Sequence, residues 1–230
     1  MKTSVIVAVV VVVALLAFGL YQGLVVAPTE LTMGNVQRIF YYHVPSAWTC
    51  FLLFFANFIA SIWYLFRRTS KADAIAVTTA EVGVVFWTVV IITGPLWARP
   101  VWGIWWTWDA RLTSTLVLGL IYVSYLILRR FSSGGQTPVL AAALAVFGFA
   151  DVPFVYLSIW YFRTQHPQPV IGGGGSLDPT MRHALYFNWL AFIALAILLC
   201  WFRYQLERKQ RDIEETMALE SLLEGSPRLP

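Results

Sequence analysis

Six long apolar runs, each close to the length needed to cross a lipid bilayer, constrain the fold of this chain more than any other feature. A helix that spans the hydrocarbon layer needs about 20 mostly apolar residues. Only 12% of the 230 residues are charged, whereas soluble domains average about 25%, so a water-soluble globule is excluded. We predict an all-α integral membrane protein whose six transmembrane helices lie at roughly 5–26, 46–66, 76–96, 112–128, 138–160 and 184–202.

The first run follows Lys2 and precedes Val25, Val26 and Ala27, a triplet that would suit a signal peptidase. Its apolar stretch is long for a signal peptide, so we predict a retained helix. Both interpretations place the amino terminus in the cytoplasm.

The distribution of Lys and Arg predicts the orientation, because cytoplasmic segments retain basic residues. Eleven lie on one side: Lys2, Arg67, Arg68, Lys71, Arg129, Arg130, Arg203, Arg208, Lys209, Arg211 and Arg228. Five lie on the other side: Arg38, Arg99, Arg111, Arg163 and Arg182. Both termini are therefore predicted to be cytoplasmic, with a six-span domain at 1–203, a charged cytoplasmic tail at 204–230 and outward loops at 27–45, 97–111 and 161–183.

Several function classes find no support in the sequence. The net charge of +4 arises mostly beside the apolar runs, so nucleic acid is an unexpected partner. Cys50 and Cys200 lie within apolar runs and form no CxxC pair, which argues against thiol redox chemistry or a zinc site. The nucleotide-binding pattern G-x-x-x-x-G-K-[ST] does not occur, so any use of ATP would belong to a partner.

Five of the eleven tryptophans fall between positions 97 and 108, in the segment WARPVWGIWWTWDAR. An aromatic belt at the membrane surface explains one or two of them. If the segment is helical, Trp102, Trp105, Trp106 and Asp109 share one face. Together with Trp97 and Trp108, they would form either a membrane anchor or a shelf on which a large planar ligand stacks.

All three histidines lie in or beside the predicted outward loops. His43 and His166 each precede a proline closely, and His183 begins the sixth span. A lone histidine at an interface is more often structural than a metal ligand. Three on one side, however, fit a planar iron porphyrin, which needs one or two axial imidazoles.

Arginine and two carboxylates complete the set of candidate functional residues. A guanidinium can pair with a haem propionate. Two other roles stay open: some outward arginines would extend along the membrane surface into water, and Arg111 would pair with Asp109. The candidates for propionate binding are Arg38, Arg99, Arg111 and Arg163. Carboxylates within spans are candidates for function by default, which adds Glu81 and Asp151 without choosing between functional and structural roles.

The residues resemble a known family. WGIWWTWDARLTS resembles the tryptophan-rich WWD signature of haem-handling proteins in cytochrome c maturation. QRIFYYHVPSAW and DVPFVYLSIWYFRTQHPQPV, followed by SLDPTMR, resemble segments of the haem exporter C (CcmC) family. The matches span roughly residues 34–182 in the same order. Two departures are Asp151, where the family leads us to expect Asn, and Gly172 to Gly175, which lengthen the loop after His166.

The resemblance implies a specific non-enzymatic role. Such proteins bind haem b non-covalently between two histidines at the outer face of the bacterial cytoplasmic membrane and present it to the chaperone CcmE. By position, the implied axial ligands are His43 and His166, and His183 would be structural. The implied partners also include the ABC-type subunits CcmA and CcmB and the one-span subunit CcmD.

Two other classes stay open on the sequence alone. An electron-transfer cytochrome b subunit would place its histidines within spans, often in pairs on one helix. A small-molecule or haem permease would have broken helices with polar residues near the membrane centre, and Asp151 with Pro153 is the one such hint.

Overall fold

The computed structural model describes residues 3–132, 134–167 and 177–224. Within these ranges the chain forms a helical bundle with six spans long and apolar enough to cross a membrane, which confirms the predicted all-α, six-span fold. The helices are α1 (Thr3–Tyr21, extended by the π-helical turn Gln22–Val26), α2 (Phe40–Arg67, preceded by the 3₁₀ turn Asn35–Ile39), α3 (Ser70–Trp102), α4 (Ala110–Phe131), α5 (Thr137–Phe149), α6 (Asp151–Tyr161) and α7 (Pro179–Glu224).

Helix α2 begins earlier than predicted. Pro45 lies inside the helix, and a proline in an apolar run usually marks a helix start. Here Phe40 and Tyr41 are buried in a cluster with Met181, Leu185 and other residues, so tertiary packing extends the helix past the proline. His43 is therefore part of α2, and the prediction that it precedes the second span is wrong.

Helix α3 continues past the predicted end of the third span, to Trp102. It stops at Gly103, whose φ of 78° is the left-handed conformation that glycine adopts without strain. The Gly103 amide donates to the carbonyl oxygen of Arg99, at 3.0 Å. Trp97, Arg99 and Trp102 consequently lie on the last turns of a helix, whereas the rest of the tryptophan-rich segment does not.

The fifth span is broken into α5 and α6. Pro153 lies in the first turn of α6 and has no backbone N–H to donate to the preceding turn, so the helix cannot run straight through. Helix α5 packs against α2 and α4, while α6 packs against α4. The break matches the broken helix that the sequence suggested at Asp151 and Pro153.

Two aromatic rings from α2 and α4 stack in the core of the bundle. The rings of Phe54 and Tyr122 lie parallel, with centroids 3.6 Å apart, and both side chains are fully buried. A Cβ on Gly83 would lie 2.6 Å from Phe54 Cε1, so this glycine allows α3 to approach the stacked pair closely. We call these two rings the aromatic plug.

Helix α7 contains 46 residues. At 1.5 Å per residue it is about 70 Å long, roughly twice the hydrocarbon thickness. The helix continues without interruption past residue 203, so the division there between membrane domain and cytoplasmic tail stays a prediction. Residues 225–230 of the predicted tail lie outside the described residues.

Ion pairs hold the first turns of this extension against α3. Arg211 reaches the buried Asp73, which also accepts two hydrogen bonds from Arg129, each 2.7 Å long. Arg203 pairs with Glu81 and Glu207. The intramembrane carboxylate Glu81 thus has a structural partner.

Candidate functional site

One cavity lies where the helix ends meet on the side predicted to face outward. It measures about 970 Å³ including its open mouth, and most of its lining is apolar. It brings together seven residues that the sequence singled out: His43, Trp97, Trp102, Trp105, Trp106, Arg111 and His166.

His43 is buried near the start of α2 and is held by a hydrogen bond across to α3. Its Nδ1 lies 2.8 Å from Thr93 Oγ1, and the Thr93 hydroxyl donates its own proton to the carbonyl oxygen of Val89 at 2.6 Å. Thr93 Oγ1 must therefore accept from Nδ1–H. This arrangement leaves the Nε2 lone pair of His43 free, as a metal ligand requires.

Gly94 lines the cavity beside His43. A Cβ at this position would lie 3.5 Å from His43 Cε1, the ring carbon between the two nitrogens. The missing side chain keeps space open beside Nε2. Neither Thr93 nor Gly94 could be identified from the sequence, because their roles depend on which turn of α3 faces α2.

His166 follows α6 and is half-buried at the cavity. Its Nδ1 lies 2.9 Å from the carbonyl oxygen of Pro167, and a carbonyl can only accept, so Nδ1 carries the proton. Burial, reinforced by the nearby Arg111 guanidinium, lowers the pKa of the His166 imidazole to about 4. The ring is therefore neutral at pH 7, with its Nε2 lone pair free.

Asp109 connects the second and third outward loops and does not line the cavity. Its Oδ1 accepts from the Leu112 amide at 2.9 Å and caps α4. Its Oδ2 accepts from the hydroxyls of Thr107 at 3.0 Å and Thr164 at 2.9 Å, and from the Gln165 amide at 3.3 Å. Burial raises the pKa of the Asp109 carboxyl, but these hydrogen bonds lower it by more. The net pKa of Asp109 is therefore below its ordinary value.

Arg111 reaches the cavity without the predicted alternative pairing to Asp109. Its Nη1 donates to the carbonyl oxygens of Val155 at 3.1 Å and Tyr156 at 3.4 Å, which fixes the guanidinium against α6. Arginine has further N–H groups that remain available to an anionic ligand.

The other three candidate arginines do not line the cavity as the structure describes it. Arg38 donates to the carbonyl oxygens of Gly23 at 2.8 Å and Ala27 at 3.2 Å and thereby ties the end of the first span to the start of the second. Arg99 bonds the carbonyl of Gly103, and Arg163 is exposed.

The tryptophans do not share a helical face. Because α3 ends at Gly103, residues 103–109 are not helical, and the predicted helical shelf is wrong. Trp105 and Trp106 nevertheless line the cavity, while Trp108 is 76% exposed and touches Trp106 edge-on. The Nε1–H of Trp106 is buried and has no hydrogen-bond partner among the described residues.

The remaining candidates lie apart from the cavity lining. His183 is exposed on α7. Asp151 begins α6, and its Oδ2 is buried without a hydrogen-bond partner in the described ranges. The glycines at 172–175, predicted to lengthen the loop after His166, lie outside the described residues.

The donor set suits an iron macrocycle better than a bare metal ion. Among the described residues, no group of three or more His, Cys, Asp or Glu side chains could hold a metal. Two neutral imidazoles supply two ligands, and a macrocycle that carries its own equatorial nitrogens needs only those. The surrounding indoles suit its flat, apolar faces.

Comparison with known proteins relates the whole membrane region to one family. The chain matches the family model described as Heme exporter protein C over residues 1–219. It is 37% identical over 190 residues to Heme exporter protein C of Bradyrhizobium diazoefficiens, covering 81% of this chain and 72% of that relative. It is 33% identical over 196 residues to Heme exporter protein C of Escherichia coli, covering 83% and 78%. A putative cytochrome c biosynthesis ccmC-like mitochondrial protein of Marchantia polymorpha is 31% identical over 182 residues, covering 79% and 78%.

Proposed function

Because this chain belongs to the Heme exporter protein C family, we propose that it binds haem b non-covalently between His43 and His166 and presents it to the chaperone CcmE during cytochrome c maturation. One observation carries the proposal. Two imidazoles from distant parts of the chain line a single tryptophan-rich cavity, and each has its Nδ1 proton committed and its Nε2 free.

The polar groups of the cavity also fit haem. A haem supplies its iron and a planar, largely apolar ring whose two propionates are anionic. Arg111 offers guanidinium N–H groups, and the unpartnered Nε1–H of Trp106 offers one more donor. A buried donor without a partner is costly, so a carboxylate ligand would satisfy it.

The chain's contribution is positioning rather than catalysis. Its own residues would bind the iron, orient the ring and exclude water, while the family implies that CcmA and CcmB supply ATP-driven steps and CcmD completes the assembly. The excess of basic residues on the opposite side supports a cavity that faces outward from a bacterial cytoplasmic membrane.

The structure weakens the two alternative functions. An electron-transfer subunit would carry both haem ligands within spans. Of the two proposed ligands, His43 lies within a span and His166 lies on a loop. A permease needs a route across the membrane. The aromatic plug fills the core one helical turn beyond the cavity-lining residues Cys50 and Leu118, and Asp151 at the broken span does not line the cavity.

Absorption spectra of the purified full-length protein test the proposed function. The wild type titrated with ferric haem is expected to give a saturable six-coordinate, low-spin spectrum. His166→Ala should shift it toward five-coordinate, high-spin haem, because one axial nitrogen is lost, whereas the control His183→Ala should match the wild type. A wild type that takes up no haem, or a His166→Ala spectrum identical to it, would contradict the proposal.

Replacing Trp106 tests the propionate interaction. Trp106→Phe keeps an aromatic ring and removes the Nε1–H, so we expect haem binding to weaken roughly 10- to 100-fold, since a hydrogen bond to a charged group contributes about 1.5–3 kcal/mol. Trp108→Phe is the matched control, because Trp108 is exposed and outside the cavity lining. Equal affinities of both variants would show that the Trp106 indole donates nothing to the ligand.

A further inference from the structure

We infer that Asp109 is a positioning residue for His166, setting the loop that carries this imidazole through the hydroxyl of Thr164. The inference rests on the proposed function insofar as His166 binds iron. On this inference the Asp109 carboxylate holds the neighbouring loop and does not contact the ligand. Asp109 is accordingly not among the residues described as lining the cavity.

The hydrogen bonds form a short relay. Thr164 Oγ1 donates to Asp109 Oδ2 at 2.9 Å and accepts from the backbone amide of His166 at 3.0 Å. The adjacent amide of Gln165 donates to the same carboxylate oxygen at 3.3 Å. The backbone of the histidine loop is thus held by one fixed oxygen at two successive positions.

Other described contacts give this loop little support. Phe162, Arg163, Gln165 and Pro167 are exposed, and Thr164 and His166 are only half-buried. Two of the described hydrogen bonds join residues 163–167 to another part of the chain, and Asp109 Oδ2 accepts both of them. With so little buried apolar surface, the conformation of the loop depends on these bonds.

Asp109 is itself rigid because it caps a transmembrane helix. Its other oxygen accepts from the Leu112 amide, which ties the carboxylate to the first turn of α4. Arg111, which lines the cavity, belongs to the same turn. The first turn of α4 therefore carries the backbone of Arg111 and also binds the carboxylate that contacts the loop of the second imidazole.

Two threonines provide a matched pair of variants. Thr107 and Thr164 each donate one hydroxyl to Asp109 Oδ2, at 3.0 and 2.9 Å, but only Thr164 also accepts from His166. Thr107→Val and Thr164→Val are close in shape and remove one hydrogen bond each from the same oxygen. Thr164→Ser keeps the hydroxyl and serves as the rescue variant.

Hydrogen–deuterium exchange of the full-length protein without haem provides a readout that does not need the ligand. In Thr164→Val we expect the peptide containing residues 162–167 to exchange at least about tenfold faster, because valine removes both hydrogen bonds of the Thr164 hydroxyl. Thr107→Val and Thr164→Ser should exchange at the wild-type rate. Equal exchange in Thr164→Val and Thr107→Val, whether fast or slow, would overturn the inference.

Haem titration gives the second readout. Thr164→Val should convert part of the low-spin haem to a high-spin species, and free imidazole should restore the low-spin spectrum. Thr107→Val and Thr164→Ser should keep the wild-type spectrum. A wild-type spectrum in Thr164→Val would overturn the link to ligation. If the wild type binds no haem, the proposed function fails, yet the exchange rates still decide whether Asp109 positions the loop.

Discussion

Among single substitutions that shorten a side chain at the site, His43→Ala is expected to cause the largest loss of haem affinity. His43 is buried on a transmembrane helix, and Thr93 fixes its ring with Nε2 free. We expect a loss on the order of a hundredfold or more, because removing even an outer partner of a metal ligand typically costs 10–100-fold. Titration of the purified variant with ferric haem, followed by absorption, measures the effect.

Rescue by a small ligand separates loss of the iron bond from loss of folding. Deleting the His43 ring leaves a space beside Gly94 and Trp97 that free imidazole can fill. Millimolar imidazole is therefore expected to restore the low-spin spectrum of His43→Ala and to leave His183→Ala unchanged. Wild-type affinity and spectrum in His43→Ala without imidazole would rule out His43 as an iron ligand.

Gly119→Ala is expected to have the largest effect on stability. An added Cβ would lie 1.8 Å from Trp87 Cε2, far inside van der Waals contact. The Trp87 indole cannot easily move away, because its Nε1 donates to the carbonyl oxygen of Thr115 at 2.8 Å. We expect the free energy of unfolding to fall by about 3 kcal/mol and Tm by roughly 6–12 °C in thermal unfolding of the detergent-solubilised protein.

The direction of this effect opposes intrinsic helix propensity. Alanine favours a helix over glycine by about 1 kcal/mol, so a substitution without a clash would stabilise α4. Gly135→Ala is the control, since nothing lies within 4 Å of the Cβ it would add. A Gly119→Ala protein as stable as the Gly135→Ala protein would contradict the predicted clash.

A double variant tests whether Trp87 is the cause. Trp87→Leu removes the indole that the new Cβ would meet, so Trp87→Leu with Gly119→Ala should be destabilised by less than the sum of the single effects. Strict additivity would show that Gly119 acts through another neighbour. Because Trp87 also lines the cavity, the single Gly119→Ala variant should bind haem more weakly as well.

The sequence predicted the number of spans but not where they end. Hydrocarbon thickness sets the minimum length of each spanning run, so runs of that length could be counted directly in the sequence. The ends depend on local chemistry and on packing. Burial of Phe40 and Tyr41 carries α2 past Pro45, and a left-handed Gly103 stops α3 within the tryptophan-rich segment.

The same division applies to the site. His43, His166, Arg111 and four of the tryptophans could be found from the motifs, and they share the cavity. Thr93, Gly94 and Trp87 could not be found, because their roles arise where α3 meets neighbouring helices. Asp109 was recognised as part of the motif, but its contact with Thr164 joins residues 55 positions apart, which spacing along the chain does not reveal.

The stacked rings of Phe54 and Tyr122 lie one helical turn beyond Cys50 and Leu118, which line the cavity on α2 and α4. A ligand that left the cavity in this direction would have to separate a buried aromatic pair, whereas exit through the open mouth needs no such change. If uptake and delivery share that mouth, they follow one another in time, and the donor and the acceptor take turns there. A partner protein would then control turnover by changing how tightly the ligand is held or which protein reaches the mouth.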